Sequence, residues 1–135
     1  IYLKIMNDIE YKISQSQAES ILLTNYGIQG KASELPGFVD YNFRIKIDGQ
    51  DAYILKISRP NSDENSIVFL KDILLYLEDN ASDIIAPRII PDKEGNHISK
   101  ISNELQNEHS VRLLSWIPGR LWHDVNPKLD DLRFS

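Results

Sequence analysis

Two runs of alternating apolar and polar residues, joined at Asp48-Gly49, dominate the middle of the chain. Tyr41, Phe43, Ile45 and Ile47 share one face of the first run. In the second run Tyr53, Leu55 and Ile57 share one face, and Ala52, Ile54 and Lys56 share the other. A period of two predicts strands, and an Asp-Gly pair tolerates the positive φ that a tight hairpin turn demands. Upstream, Ser16 is a candidate helix cap. Ala18, Ile21, Leu22 and Tyr26 then recur at helical spacing until Gly27 offers a stop. Residues 28–35 read as a further strand, and Pro36-Gly37 opens a short loop over residues 35–40.

Beyond the hairpin, Arg59 to Ser62 form a loop, and Asp63 and Glu64 place negative charge where a helix dipole favours it. Ile67, Leu70, Leu74 and Leu77 form the apolar stripe of a long amphipathic helix, expected to be core. Pro87 bars its continuation. Residues 88–91 and 96–101 read as short strands around a turn, and residues 111–117 as a buried strand that stops at Pro118-Gly119. A new helical pattern begins at Pro127 and has run for barely two turns at Ser135, too short to stand alone. The chain is therefore expected to continue into a further domain, and its start at Ile1 suggests a natural N-terminus upstream. The element order predicts an α+β layer: an antiparallel sheet of about five strands, one long helix packed on it, and an extra N-terminal helix.

Composition changes this picture little. The 135 residues suit one domain or part of a larger one, and 41% hydrophobic content allows a sizeable core. A net charge of −5 argues against bulk attraction to nucleic acid or to an anionic membrane. No cysteine is present, which excludes disulfides and thiolate metal sites. No apolar run approaches the roughly 20 residues of a membrane span, and no leader pattern is visible, so the cytoplasm is the expected compartment. His97, His109 and His123 are scattered without metal-ligand spacing.

The candidate chemistry rests on Lys56. A lysine inside an apolar strand costs solvation free energy unless it meets an anion. Alone, such a residue reads as an edge lysine that snorkels to water. A Pro-Gly loop above it supplies the second half of a grip on a polyphosphate.

Four pieces in order carry a resemblance: Tyr26-Gly27-Ile28; Leu35-Pro36-Gly37 through Asp40-Tyr41-Asn42-Phe43; Tyr53-Ile54-Leu55-Lys56-Ile57; and residues 111–120, Val-Arg-Leu-Leu-Ser-Trp-Ile-Pro-Gly-Arg. They resemble the protein-kinase-like N-terminal lobe of the aminoglycoside phosphotransferase and choline kinase group. The small-molecule kinases related to hydroxylysine kinase are most similar, including phosphotransferase domains fused to class III aminotransferases. The resemblance divides the chain into a nucleotide-binding lobe over residues 1–117 and an inter-lobe linker with the start of a C-terminal lobe over residues 118–135.

By resemblance, Lys56 holds the α- and β-phosphates of ATP or GTP, a role suited to a point charge with three donors. Phe38, Val39, Asp40, Tyr41 and Asn42 match the loop over the phosphates. Ile54 roofs the base and Leu114 guards the back of its pocket. In the linker Ser115-Trp116-Ile117, the Ser115 carbonyl and the Ile117 N–H pair with the purine edge. The Mg²⁺ ligands and the catalytic base belong to a C-terminal lobe that this chain lacks. His123-Asp124 does not match the His-Gly-Asp loop expected there. The chain alone is thus expected to be inactive and its parent to phosphorylate a hydroxyl of a small metabolite such as an amino alcohol, hydroxy amino acid or aminoglycoside-like compound. Separation from the other lobe would expose apolar surface and invite self-association.

Two departures stand out. The glutamate that orients the lysine in such lobes is missing: its positions on the long helix hold Val68 and Leu70, and Glu64 and Asp72 are the nearest acids. The glycine-rich signature of protein kinases is reduced to Gly37. These departures leave open a pseudokinase or regulatory module without phosphotransfer, and a plain α+β interaction domain.

Overall fold

The computed structural model describes residues 13–36, 40–60, 62–81, 83–102 and 107–117. Phe38, Val39, the linker from Pro118 onward and the helical pattern from Pro127 lie outside the described residues, as do residues 1–12. The element order is α1 (Gln15–Ile21), β1 (Lys31–Leu35), β2 (Asp40–Ile47), β3 (Gln50–Ser58), α2 (Glu64–Asn80), β4 (Ile89–Ile90), β5 (Ser99–Ser102) and β6 (Glu108–Ser115).

Ser14, not Ser16, caps α1. Its hydroxyl accepts from the Gln17 N–H at 3.1 Å and the Gln17 side chain accepts from the Ser14 N–H at 2.8 Å, a reciprocal capping box. The helix widens into a π-type turn over Leu22–Tyr26 and ends at Gly27, whose φ of 70° suits a left-handed cap. The β2–β3 hairpin turns on Asp48 and Gly49, with φ of 53° and 79°. Positive φ at both central residues matches the right-handed twist of the flanking strands.

The sheet runs β1-β2-β3-β6-β4, with β5 also on β6, and every pairing is antiparallel. β6 has β3 on one side and β4 and β5 on the other, so His109 to Leu114 are all buried. One face of the sheet packs against α1. Phe43, Ile45, Leu55, Ile57, Val111 and Leu113 meet Ala18, Leu22 and Tyr26 there, each at most 8% exposed. The Tyr26 phenol is pushed up to about 12, mainly by burial.

α2 is capped by Asp63, whose carboxylate accepts from the Asn65 N–H at 3.0 Å. Its stripe is only half covered: Ile67 is buried and Leu70, Leu74 and Leu77 are intermediate, while Phe69 and Tyr76 are 50% and 64% exposed. The core therefore forms chiefly under α1, and α2 lies against the β4 and β5 side of the sheet.

Candidate functional site: a cation row on the face of the sheet opposite α1

Side chains alternate across a strand, so packing Leu55 and Ile57 into the core turns Ile54 and Lys56 to the opposite face. The register then sets Asn42 of β2, Lys56 of β3 and Arg112 of β6 side by side across three strands. Asp40 lies two residues before Asn42 on the same strand face.

The Lys56 amine donates to the Asn42 carboxamide oxygen at 3.0 Å and lies 3.6 Å from Asp40 Oδ2. The same Asp40 oxygen is 3.2 Å from Arg112 Nη2. The side chains of Asp40, Arg112 and Lys56 are 10%, 7% and 19% exposed. Among the described residues, buried Arg112 Nε and Nη2 find no hydrogen-bond acceptor: the Asp40 contact has the length of an ion pair but not hydrogen-bond alignment. Burial lowers the Lys56 pKa from the ordinary lysine value. Asp40 opposes that shift and Arg112 adds to it.

Beside this row, Ile54 faces Leu114 directly across β3 and β6, at 1% and 7% exposed. The apolar pair assigned to the nucleobase is thus adjacent and next to the lysine. At the end of β6 the Ser115 N–H donates to the Arg88 carbonyl at 2.9 Å, and the Ser115 hydroxyl accepts from the Arg88 N–H at 2.8 Å. The Trp116 N–H donates to the Ala52 carbonyl on the β3 side at 2.9 Å. The Arg44 guanidinium, forked onto Asp51, lies 4.8 Å above the Trp116 ring, and Ile117 is buried.

Two placements differ from what the resemblance implies. Asp40, Tyr41 and Asn42 belong to β2 rather than to the loop before it, because they pair in register with Ser58, Ile57 and Lys56. Tyr41 turns to the core face, where the Arg59 guanidinium stacks on its ring at 4.4 Å, and so leaves the Lys56 face. The question left open at Glu64 and Asp72 is answered by their partners: Glu64 pairs with Lys100 and accepts from the Ser110 hydroxyl, and Asp72 pairs with Lys71. The carboxylate beside Lys56 comes from β2.

Arg112 is the residue that sequence reading passed over. Its signal is the same as that of Lys56: a cation inside the apolar run Val111-Arg112-Leu113-Leu114. Among the described residues no cluster of His, Asp or Glu has the makings of a metal site, and no helix is long and apolar enough to cross a membrane.

No family model matches the chain, and no curated protein matches it in sequence. Solved structures do. The chain is similar to a microcompartment-associated aminopropanol kinase, with TM-score 0.64, 15% identity, and coverage of 87% of this chain and 34% of that one. It is also similar to the amicoumacin kinase hAmiN, solved with AMP-PNP, Ca²⁺ and Ami, with TM-score 0.53, 16% identity, and coverage of 87% and 31%. The fold is therefore the mixed α+β fold shared with part of these kinase-like enzymes. The chain spans about a third of the length of these solved structures.

Proposed function

We propose that residues 1–117 form the nucleotide-binding lobe of a small-molecule kinase, which moves the γ-phosphate of ATP or GTP to a hydroxyl of a small metabolite. The observation that carries this reading is the row of Lys56 and Arg112 against a single carboxylate, on the sheet face that also carries the Ile54–Leu114 apolar pair. Two cations share one anion, so a net positive charge remains at Lys56, the more exposed of the two. This fits a polyphosphate. Ile54 and Leu114, buried side by side next to Lys56, are the apolar residues this reading sets beside the base. The Ser115 carbonyl and Ile117 N–H supply the polar edge, as backbone groups do whatever their side chains.

Catalysis in such an enzyme is positioning plus charge stabilisation of an in-line transfer. Lys56 fixes the α- and β-phosphates, and the strand end fixes the base. When bound, Mg²⁺ neutralises phosphate charge; its ligands, the general base and the acceptor contacts belong to residues beyond this lobe. Residues 1–135 alone bind nucleotide without transferring phosphate. The reading also makes the protein a cytoplasmic one.

Isothermal titration of the full-length protein with ATP and GTP tests this, followed by assay of phosphate transfer to amino alcohols and hydroxy amino acids. Saturable binding with transfer supports it, and absence of binding overturns it. A second reading, a pseudokinase or regulatory module, draws on α2 supplying no acid to Lys56. Tight nucleotide binding without transfer to any acceptor would favour it.

The site also carries a pH dependence. Only protonated Lys56 attracts phosphate, and its pKa in the free protein is lowered. Bound phosphate raises that pKa, so the complex takes up protons when they are lost from the free site. Affinity is therefore highest below the lowered free-state pKa and falls as pH rises through it. The fall begins at lower pH than an ordinary lysine would give. Titrations at pH values where the nucleotide phosphates no longer ionise measure it.

A further inference from the structure

We propose that Asp40, anchored by Arg112, is the positioning residue for Lys56, so that β2 and β6 take the part an acid on the long helix would otherwise play. This inference rests on the phosphate-binding role of Lys56 given above.

One oxygen carries the link. Asp40 Oδ2 lies 3.2 Å from Arg112 Nη2 and 3.6 Å from Lys56 Nζ. The acid and the guanidinium are more deeply buried than the amine, which is the most exposed of the three. The Arg112 atoms without hydrogen bonds, Nε and Nη2, are the side-on pair that a carboxylate takes as a fork. A small rotation of Asp40 satisfies both and leaves the Lys56 charge to an incoming phosphate. Asn42 adds a neutral acceptor at 3.0 Å, which directs the amine without cancelling its charge.

Among the described residues, the charged groups facing Lys56 are Asp40 from β2 and Arg112 from β6. On α2, Glu64 is held by Lys100 of β5 and by Ser110. Asp40 is accordingly not a phosphate ligand, since a carboxylate turned to phosphate repels it. It holds the residue that is.

The test uses the full-length protein, with calorimetric titration of ATP and the pH midpoint of that binding as readouts. Asp40→Asn leaves the Lys56 amine unpositioned and weakens ATP binding by about tenfold, and it moves the pH midpoint down, because the carboxylate no longer supports the charged amine. Asp40→Asn alone also strands Arg112 and can unfold the protein. The neutral pair Asp40→Asn with Arg112→Gln avoids this. For a positioning role, that pair restores the melting temperature and leaves ATP affinity about tenfold low. For a merely structural role it restores both, which would overturn the inference. Glu64→Gln leaves affinity and midpoint unchanged, and a loss there matching that of Asp40→Asn would also overturn it. If the wild-type protein binds no nucleotide, the reading under Proposed function fails and the inference with it. If binding is lost in Lys56→Met but intact in the neutral pair, the inference alone fails.

Discussion

Lys56→Met abolishes nucleotide binding, weakening it by about a hundredfold or more, while the protein stays folded. Methionine keeps most of the apolar stem of lysine and removes the charge. The stem lies on the sheet beside Ile54 and Asn42, so packing changes little. Asp40 and Arg112 are left as a matched pair, and the cost of burying a third charge disappears. The melting temperature is expected to hold or rise slightly. Calorimetry with ATP and a thermal melt on the same variant check both halves. Unchanged affinity would remove Lys56 from the site, and a collapsed fold would make it a structural residue.

Leu22→Ala has the largest expected effect on stability, a loss of about 2–5 kcal/mol in urea unfolding. Leu22 is fully buried in the wide turn that ends α1, within the core that backs β3 and β6. Removing it opens a cavity behind the strands that carry Lys56 and Arg112. Leu74→Ala on α2 is expected to cost clearly less, because that side chain is only half covered. Equal losses at the two positions would mean that α2 closes the core as much as α1 does.

Local signals reached a long way into this structure. The period-two runs, the Asp48-Gly49 turn and Gly27 mark elements whose energetics are set within a few residues, and the element order follows the pattern of the chain. Lys56 was visible because a cation interrupts an apolar face. What stayed hidden depends on pairing between distant segments. That Asp40 meets Arg112 follows from the β2–β3 and β3–β6 registers, which no local period reveals. The same holds for Glu64, which faces Lys100 and Ser110 because β5 and β6 run beneath the start of α2. Ser14 outranks Ser16 as a cap because Gln17 completes a reciprocal pair with it. The stripe of α2 has the periodicity of a core helix, yet periodicity says which side is apolar and not how much of it the sheet covers.

The central claim is that the Lys56 amine meets the phosphates of a nucleotide. It is tested most directly by labelling the full-length protein with an adenosine that carries an amine-reactive sulfonyl fluoride in place of its phosphates, followed by peptide mapping. Modification concentrated at Lys56 and suppressed by excess ATP is the expected result. Modification spread over surface lysines such as Lys46, Lys71 and Lys100, with Lys56 untouched or unprotected by ATP, would contradict it.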